Sequence, residues 1–306
     1  MGWRLYLSNQ AVQRLDILPG QPPLLAAWIA RERVYYFDQE TGAQAGERTL
    51  PDAPAPARAD DAWHTFAAGL VAPNKAYLPR VRTALGDLHI SSDGRLRLVH
   101  VPPAELFLEL EGKDIRLDTG DVARLGAVGL DRQMGLVAAL DDTGRLHLFQ
   151  QHIPLGAFDL GLSLADGLPA AVAVAQGGGA IFASDGQQIV LADSSGTVSR
   201  RLEAYYTIGR VACTPDGRLL ATTDLDTNVI RVYHGSDLTP AYQRHAVDLL
   251  AAAHQVQLIA DEPPALGALS ALALGMKGAL AFALGGVICA SDIAEMTALP
   301  RARKLL

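Results

Sequence analysis

At 306 residues, 49% hydrophobic and 19% charged, the chain carries enough apolar material for a substantial core, which excludes an intrinsically disordered protein. A formal net charge of −7 and the lack of any long Lys/Arg run argue against a general nucleic-acid binder; the basic RARKLL at 301–306 reads as a solvated end. No run of about 18 uncharged apolar residues occurs, so no membrane insertion is expected.

The first segment, MGWRLYLSNQ, has no basic stretch followed by an apolar core and a small-residue cleavage site, so no export signal is expected. WRLYLS (3–8) reads as a lone short strand. A unit over 12–50 follows, with apolar strands separated at LPGQPP, ARER and DQETG. PDAPAPARADDA opens a Pro/Ala-rich loop near 51–61, and WHTFAAGL and AYLPRVRTA are candidate strands within 62–87. The segment 88–120 turns at SSDG, VPP and EGKD.

The pattern then sharpens. GAVGLDRQMGLVAALDDTGRLHLFQ (126–150), AVAVAQGGGAIFASDGQQIVLAD (171–193), GRVACTPDGRLLATTDLDTNVIRVYH (209–234) and LSALALGMKGALAFALGGVICASD (269–292) share one frame. An apolar strand leads to a Gly-containing turn, a second strand, a second polar or Gly turn, and a third strand. In TPDG, Pro presets φ, Asp bonds back to its own backbone and Gly accepts a positive φ. A more polar fourth segment comes next in each: LGAFDLGL, TVSRRLEAY, PAYQRHAVDLL and AEMTALP. Four antiparallel strands every 40 to 50 residues is the spacing of propeller blades. The segment 244–266 is longer than a hairpin needs, and reads as a helix from Ala246 to about Val256 or as an outer strand with a return.

A single such sheet cannot hide both apolar faces, whereas radial stacking buries each against its neighbours. The expected fold is therefore an all-β propeller of four-stranded antiparallel blades in one domain spanning 1–306. Six units are visible. The first interval is nearly double the others, so a degenerate unit in 62–87 raises the expected count to seven, with six as the alternative. WRLYLS is the strand expected to close the ring onto the last blade.

TPDGRLLATT resembles the first hairpin of many bacterial propeller repeats, and VYYFDQETG resembles the third strand and turn of the quinoprotein-like type. The chain thus resembles the WD40-like and quinoprotein-like β-propellers over most of its length. That resemblance implies the architecture. The Gly-His and Trp-Asp signatures of WD40 repeats are missing, and no cofactor residue is carried across.

The eight histidines form no HxH or HExxH pair, so no metal site is expected from them. No nucleophile elbow, P-loop or dinucleotide fingerprint is present; GGG at 177–179 falls in a hairpin turn. Cys213 and Cys289 lie in separate apolar runs, which suits buried thiols in a reducing cytoplasm. One charged pattern does recur: the second turn carries Asp141 and Asp142, Asp185, and Asp224 and Asp226. Equivalent turns share one face of a propeller. These carboxylates are either turn formers or a docking rim for a basic protein surface. The expectation is a non-enzymatic, cofactor-free, cytoplasmic interaction module or assembly subunit. The alternatives are a lactonase-like hydrolase with a metal in the central channel, or a small-molecule sensor using that channel.

Overall fold

The computed structural model describes residues 2–8, 10–18, 23–29, 33–49, 88–90, 96–101, 103–110, 113–131, 135–164, 167–259 and 266–299. They form six sheets, antiparallel except for one outer strand of the sixth. Blade I is β2 (Val12–Leu18), β3 (Leu24–Ile29), β4 (Arg33–Asp38) and β5 (Gln44–Thr49). Blade II is β6 (Leu88–Ile90), β7 (Leu96–Val101), β8 (Glu105–Leu110) and β9 (Lys113–Leu117). Blade III is β10 (Leu125–Leu130), β11 (Leu136–Asp141), β12 (Arg145–Gln150) and β13 (Ile153–Asp159). Blade IV is β14 (Ala171–Val174), β15 (Ile181–Ser184), β16 (Gln188–Ala192) and β17 (Val198–Glu203). Blade V is β18 (Ile208–Cys213), β19 (Leu219–Asp224), β20 (Val229–His234) and β21 (Pro240–His245).

Blade VI contains β23 (Leu269–Leu274), β24 (Ala279–Leu284) and β25 (Val287–Asp292), and takes its fourth strand from the other end of the chain. That strand is β1 (Trp3–Tyr6), antiparallel to β25 with Trp3 opposite Ala290. The expected closure by WRLYLS is therefore what the ring uses. A fifth strand, β22 (Gln255–Leu258), runs parallel to β1 on its outer side. AEMTALP does not complete its own blade: β26 (Thr297–Ala298) crosses back to pair with β21 of blade V. The segment after blade V holds both of its expected forms in succession. Helix α1 (Ala246–Ala252) buries Ala246, Leu249 and Leu250 between blades V and VI, and β22 returns along the outside.

The described residues form six blades, the alternative count, which corrects the expectation of seven. Residue spacing measures how much chain separates two strands, not whether that chain pairs into a sheet. The proposed unit in 62–87 and the Pro/Ala-rich loop near 51–61 lie outside the described residues.

The apolar runs form strands because both faces of the middle strands are covered. β3, β11 and β15 are buried at every position. Adjacent blades interleave their faces. Trp3, Leu5 and Ile288 of blade VI pack with Leu25 and Phe37 of blade I, and Phe182 and Leu191 of blade IV pack with Ile208 and Tyr233 of blade V. Ala fills the tightest layers, as at Ala138, Ala183 and Ala281. Side chains also stitch blades together. Trp3 donates Nε1–H to the Gln39 carbonyl at 2.7 Å, Asp131 accepts from Gly177 N–H at 2.7 Å, and Asn228 accepts from Leu269 N–H at 3.0 Å.

The antiparallel order fixes two faces. Turns between the second and third strands share the upper face with the blade-to-blade crossovers; the other hairpins share the lower face. The first strand of each blade is innermost, and β2, β10, β14, β18 and β23 contribute to the wall of a central channel.

Candidate functional site: the upper face and the central channel

The five acidic residues do lie at equivalent turns on the upper face, but they split into two kinds. Asp141, Asp185 and Asp224 end the second strands of blades III and V or follow that of blade IV, and all three are buried. Each carboxylate folds back on its own turn. Asp141 Oδ1 accepts from the Thr143 and Arg145 N–H groups and the Thr143 hydroxyl, and its Oδ2 meets His147 Nε2 at 2.7 Å. Asp185 accepts from Gln187 and Gln188 N–H, and from Ser163 N–H on the crossover arriving from blade III. Asp224 accepts from Asp226 and Thr227 N–H, and pairs with Arg231 at 2.8 Å.

Burial alone pushes each of these carboxyls upward, but the donors around it outweigh that. His147 and Thr143 hold Asp141 below the usual range, Gln187, Ser163 and Gln188 do so for Asp185, and Thr227 and Arg231 do so for Asp224. All three are ionised turn staples. Asp142 is half-buried and Asp226 is exposed, so these two present charge to solvent.

Aspartate does the same work on the lower face. Asp38, Asp193, Asp237 and Asp292 each accept a backbone N–H two residues on, at the turn after the third strand. The chain thus uses Asp to lock hairpins on both faces.

Beside Asp224 stands a cluster that the sequence reading missed. Arg231, in the third strand of blade V, lies with its guanidinium carbon 4.0 Å from the centroid of Tyr206 and 5.3 Å from that of Tyr205. Tyr206 shares hydrogen bonds with the Thr222 hydroxyl at 2.8 Å and the Tyr233 hydroxyl at 2.7 Å. Burial holds both phenols above their ordinary range, so they stay neutral; Asp224 and Tyr205 keep the Arg231 cation charged in spite of its own burial. Tyr205 stacks edge-on to Tyr206 and is 82% exposed. A large aromatic is therefore held out into solvent on a rigid base. Leu225, next to Asp224, adds a second exposed apolar side chain. The available signal was an Arg in the middle of VIRVYH, where an apolar residue is the norm.

The channel is the second candidate. It encloses about 1200 Å³, lined largely by Ala, Val, Leu and Ile from the inner strands. Its charged lining residues are Arg14, Asp16, Glu40, Asp131, Arg210, Lys277 and Asp292, of which Glu40, Asp131, Lys277 and Asp292 belong to turns of the lower face. Arg14 and Asp16 of blade I form an ion pair at 2.8 Å, and Trp28 Nε1–H also donates to Asp16 at 3.3 Å. Arg210 of blade V is exposed and gives its Nε–H to the Ser270 carbonyl of blade VI at 3.3 Å. Four inner strands slip register near their upper ends, between Val12 and Arg14, Leu125 and Ala127, Ile208 and Val211, and Leu269 and Ala271. Such bulges turn side chains that would otherwise follow the strict alternation of the strand.

Among the described residues, no three His, Cys, Asp or Glu side chains converge as a metal site would require. No described helix is long and apolar enough to cross a membrane. Of the cysteines, Cys213 is half-buried at the channel wall and Cys289 is fully buried in blade VI. No family model matches the chain, and no curated protein matches its sequence.

Proposed function

We propose that this propeller is a non-enzymatic interaction module or assembly subunit that docks a protein partner on the upper face of blades III to V. The carrying observation is Tyr205, exposed yet braced by Tyr206 and Arg231. A pre-ordered aromatic loses little conformational freedom on binding, and Tyr and Arg are enriched where interfaces gain most of their energy. Asp226 in the same blade, and Asp142 on the equivalent turn of blade III, add negative charge to that face and favour a basic partner surface, since complementary charge speeds and orients encounter. Asp141, Asp185 and Asp224 serve that face indirectly, by fixing the turns that carry it.

The WD40-like cast of TPDGRLLATT supports the same reading at the level of architecture. A cytoplasmic site of action is part of the proposal, on the strength of two cysteines in separate blades. The test is affinity capture from native extract with three baits: the parent chain, Tyr205→Ala with Asp226→Asn, and a lower-face control, Asp193→Asn. A partner that depends on Tyr205 and Asp226 but not on Asp193 is the expected result. Partners retained equally by all three baits would remove the upper face from consideration.

A further inference from the structure

The central channel has an unbalanced charge at its upper end. Arg14 is neutralised by Asp16 beside it, within one strand. Arg210 has no such partner: its one hydrogen bond among the described residues is Nε–H to a neutral backbone carbonyl, leaving the guanidinium Nη groups unengaged. Its placement is built into the backbone. Ile208 pairs with Asp224 and Val211 with Thr222, so Gly209 and Arg210 together oppose Thr223 alone. Gly209 lets the Leu225 side chain lie close over the bulge, since a Cβ there would sit 2.5 Å from Leu225 Cδ2 and 2.9 Å from Thr223 Oγ1 and would push Leu225 aside. The bulge turns Arg210 into the channel, where its tether reaches across to blade VI.

Below the guanidinium the middle of the wall is aliphatic, and the charged groups Glu40, Asp131, Lys277 and Asp292 come only at the lower rim. Ile17, Val172, Val174, Val211 and Ala212, from blades I, IV and V, are half-buried along the wall. A ligand pocket of this type pairs an apolar body with one or two fixed polar groups. A cation with spare donors, held against low-dielectric walls, selects a negative group, and a guanidinium fork matches a carboxylate.

We infer that the channel is a binding site for a small organic anion, a carboxylate with an aliphatic body, whose head group is held by Arg210. The carboxylate accepts from the free Nη–H groups, and its hydrocarbon lies along the Val and Ala of the inner strands. This site is separate from the Tyr205 patch, so either can stand without the other.

Titration calorimetry of the full chain with octanoate and with octanol, below their aggregation limits, tests the inference. Octanoate should bind saturably at one per chain and at least tenfold more tightly than octanol. Arg210→Gln should lose at least tenfold in octanoate affinity with octanol unchanged, and Arg210→Lys should fall between. Circular dichroism and thermal melts of each variant should match the parent, since Arg210 is exposed and holds one long hydrogen bond. Three results would overturn the proposal: no saturable octanoate binding by the parent chain, equal octanoate affinity in Arg210→Gln, or an equal loss of octanoate and octanol in that variant.

Discussion

Neutralising Asp224 tests whether its pairing with Arg231 supports blade V. The two side chains are 2% and 11% exposed and 2.8 Å apart, and Arg231 Nε is buried with no acceptor of its own. In Asp224→Asn the remaining oxygen still serves Asp226 and Thr227 N–H, because Asn suits the same turn. What disappears is the partner of a buried cation, at a cost of about 3 to 5 kcal/mol. The two tyrosine rings soften this, since a desolvated cation–π contact retains about 1 to 2 kcal/mol, so about 3 kcal/mol is expected. Arg231→Met removes the cation and leaves a carboxylate that keeps its backbone donors, at about 2 kcal/mol. The double variant has no stranded charge and should be destabilised by only about 2 to 3 kcal/mol, a coupling of about 2 to 3 kcal/mol. Equilibrium urea unfolding of the four proteins at pH 7 supplies the cycle. The Asp224 carboxyl sits below its ordinary value of 3.8, so the coupling should be fully present above that pH and shrink as pH falls through the lower folded value. A coupling under about 0.5 kcal/mol at pH 7 would refute the reasoning.

The depressed carboxyls of Asp141, Asp185 and Asp224 together predict stability that is flat above about pH 5 and falls steeply below about pH 4, which a series of melts across pH would reveal. Deleting residues 1–10 should bare the edges of β25 and β22 and cause aggregation; a soluble, cooperatively unfolding product would contradict the closure. Gly286→Ala should destabilise the closure by more than about 1 kcal/mol, because its Cβ would lie 1.7 Å from the Ser8 carbonyl oxygen; an unchanged melting temperature would show that the closing loop can move. Burial, with a contribution from Glu295, pushes the Cys289 thiol up to about 12, so iodoacetamide at pH 8 should label the half-buried Cys213 first and reach Cys289 only on unfolding.

The strands and their order were legible because period and turn chemistry agree: TPDG, DDTG and SDG each mark a hairpin that forms. The closing strand was legible because WRLYLS had no neighbour in sequence to pair with. Blade number was not, since spacing counts residues and a sheet needs partners. Nor was the destination of AEMTALP, whose two paired residues prefer the open edge of the previous blade. At the candidate site, sequence placed the five aspartates on one face but not the direction of their carboxylates. Three turn inward to backbone donors, a choice decided by local geometry rather than residue type. Tyr205, Arg231 and Arg210 escaped notice for a related reason. Their meaning depends on which neighbours they face, and those neighbours come from other strands and blades.

The pairing of Trp3 with Ala290 sets an order of events for assembly as well as a finished shape. During synthesis β1 emerges before blade I, while β25 becomes available only after blades I to V have been made. Blades III, IV and V draw their four core strands from contiguous chain and can form in turn as they appear. β1 and the apolar faces of Trp3 and Leu5 must wait, exposed, for a contact of very long sequence separation, the kind that is slowest to form. The seam between blades VI and I is thus the last joint to close, and until it does the growing chain keeps its largest buried aromatic, Trp3, uncovered.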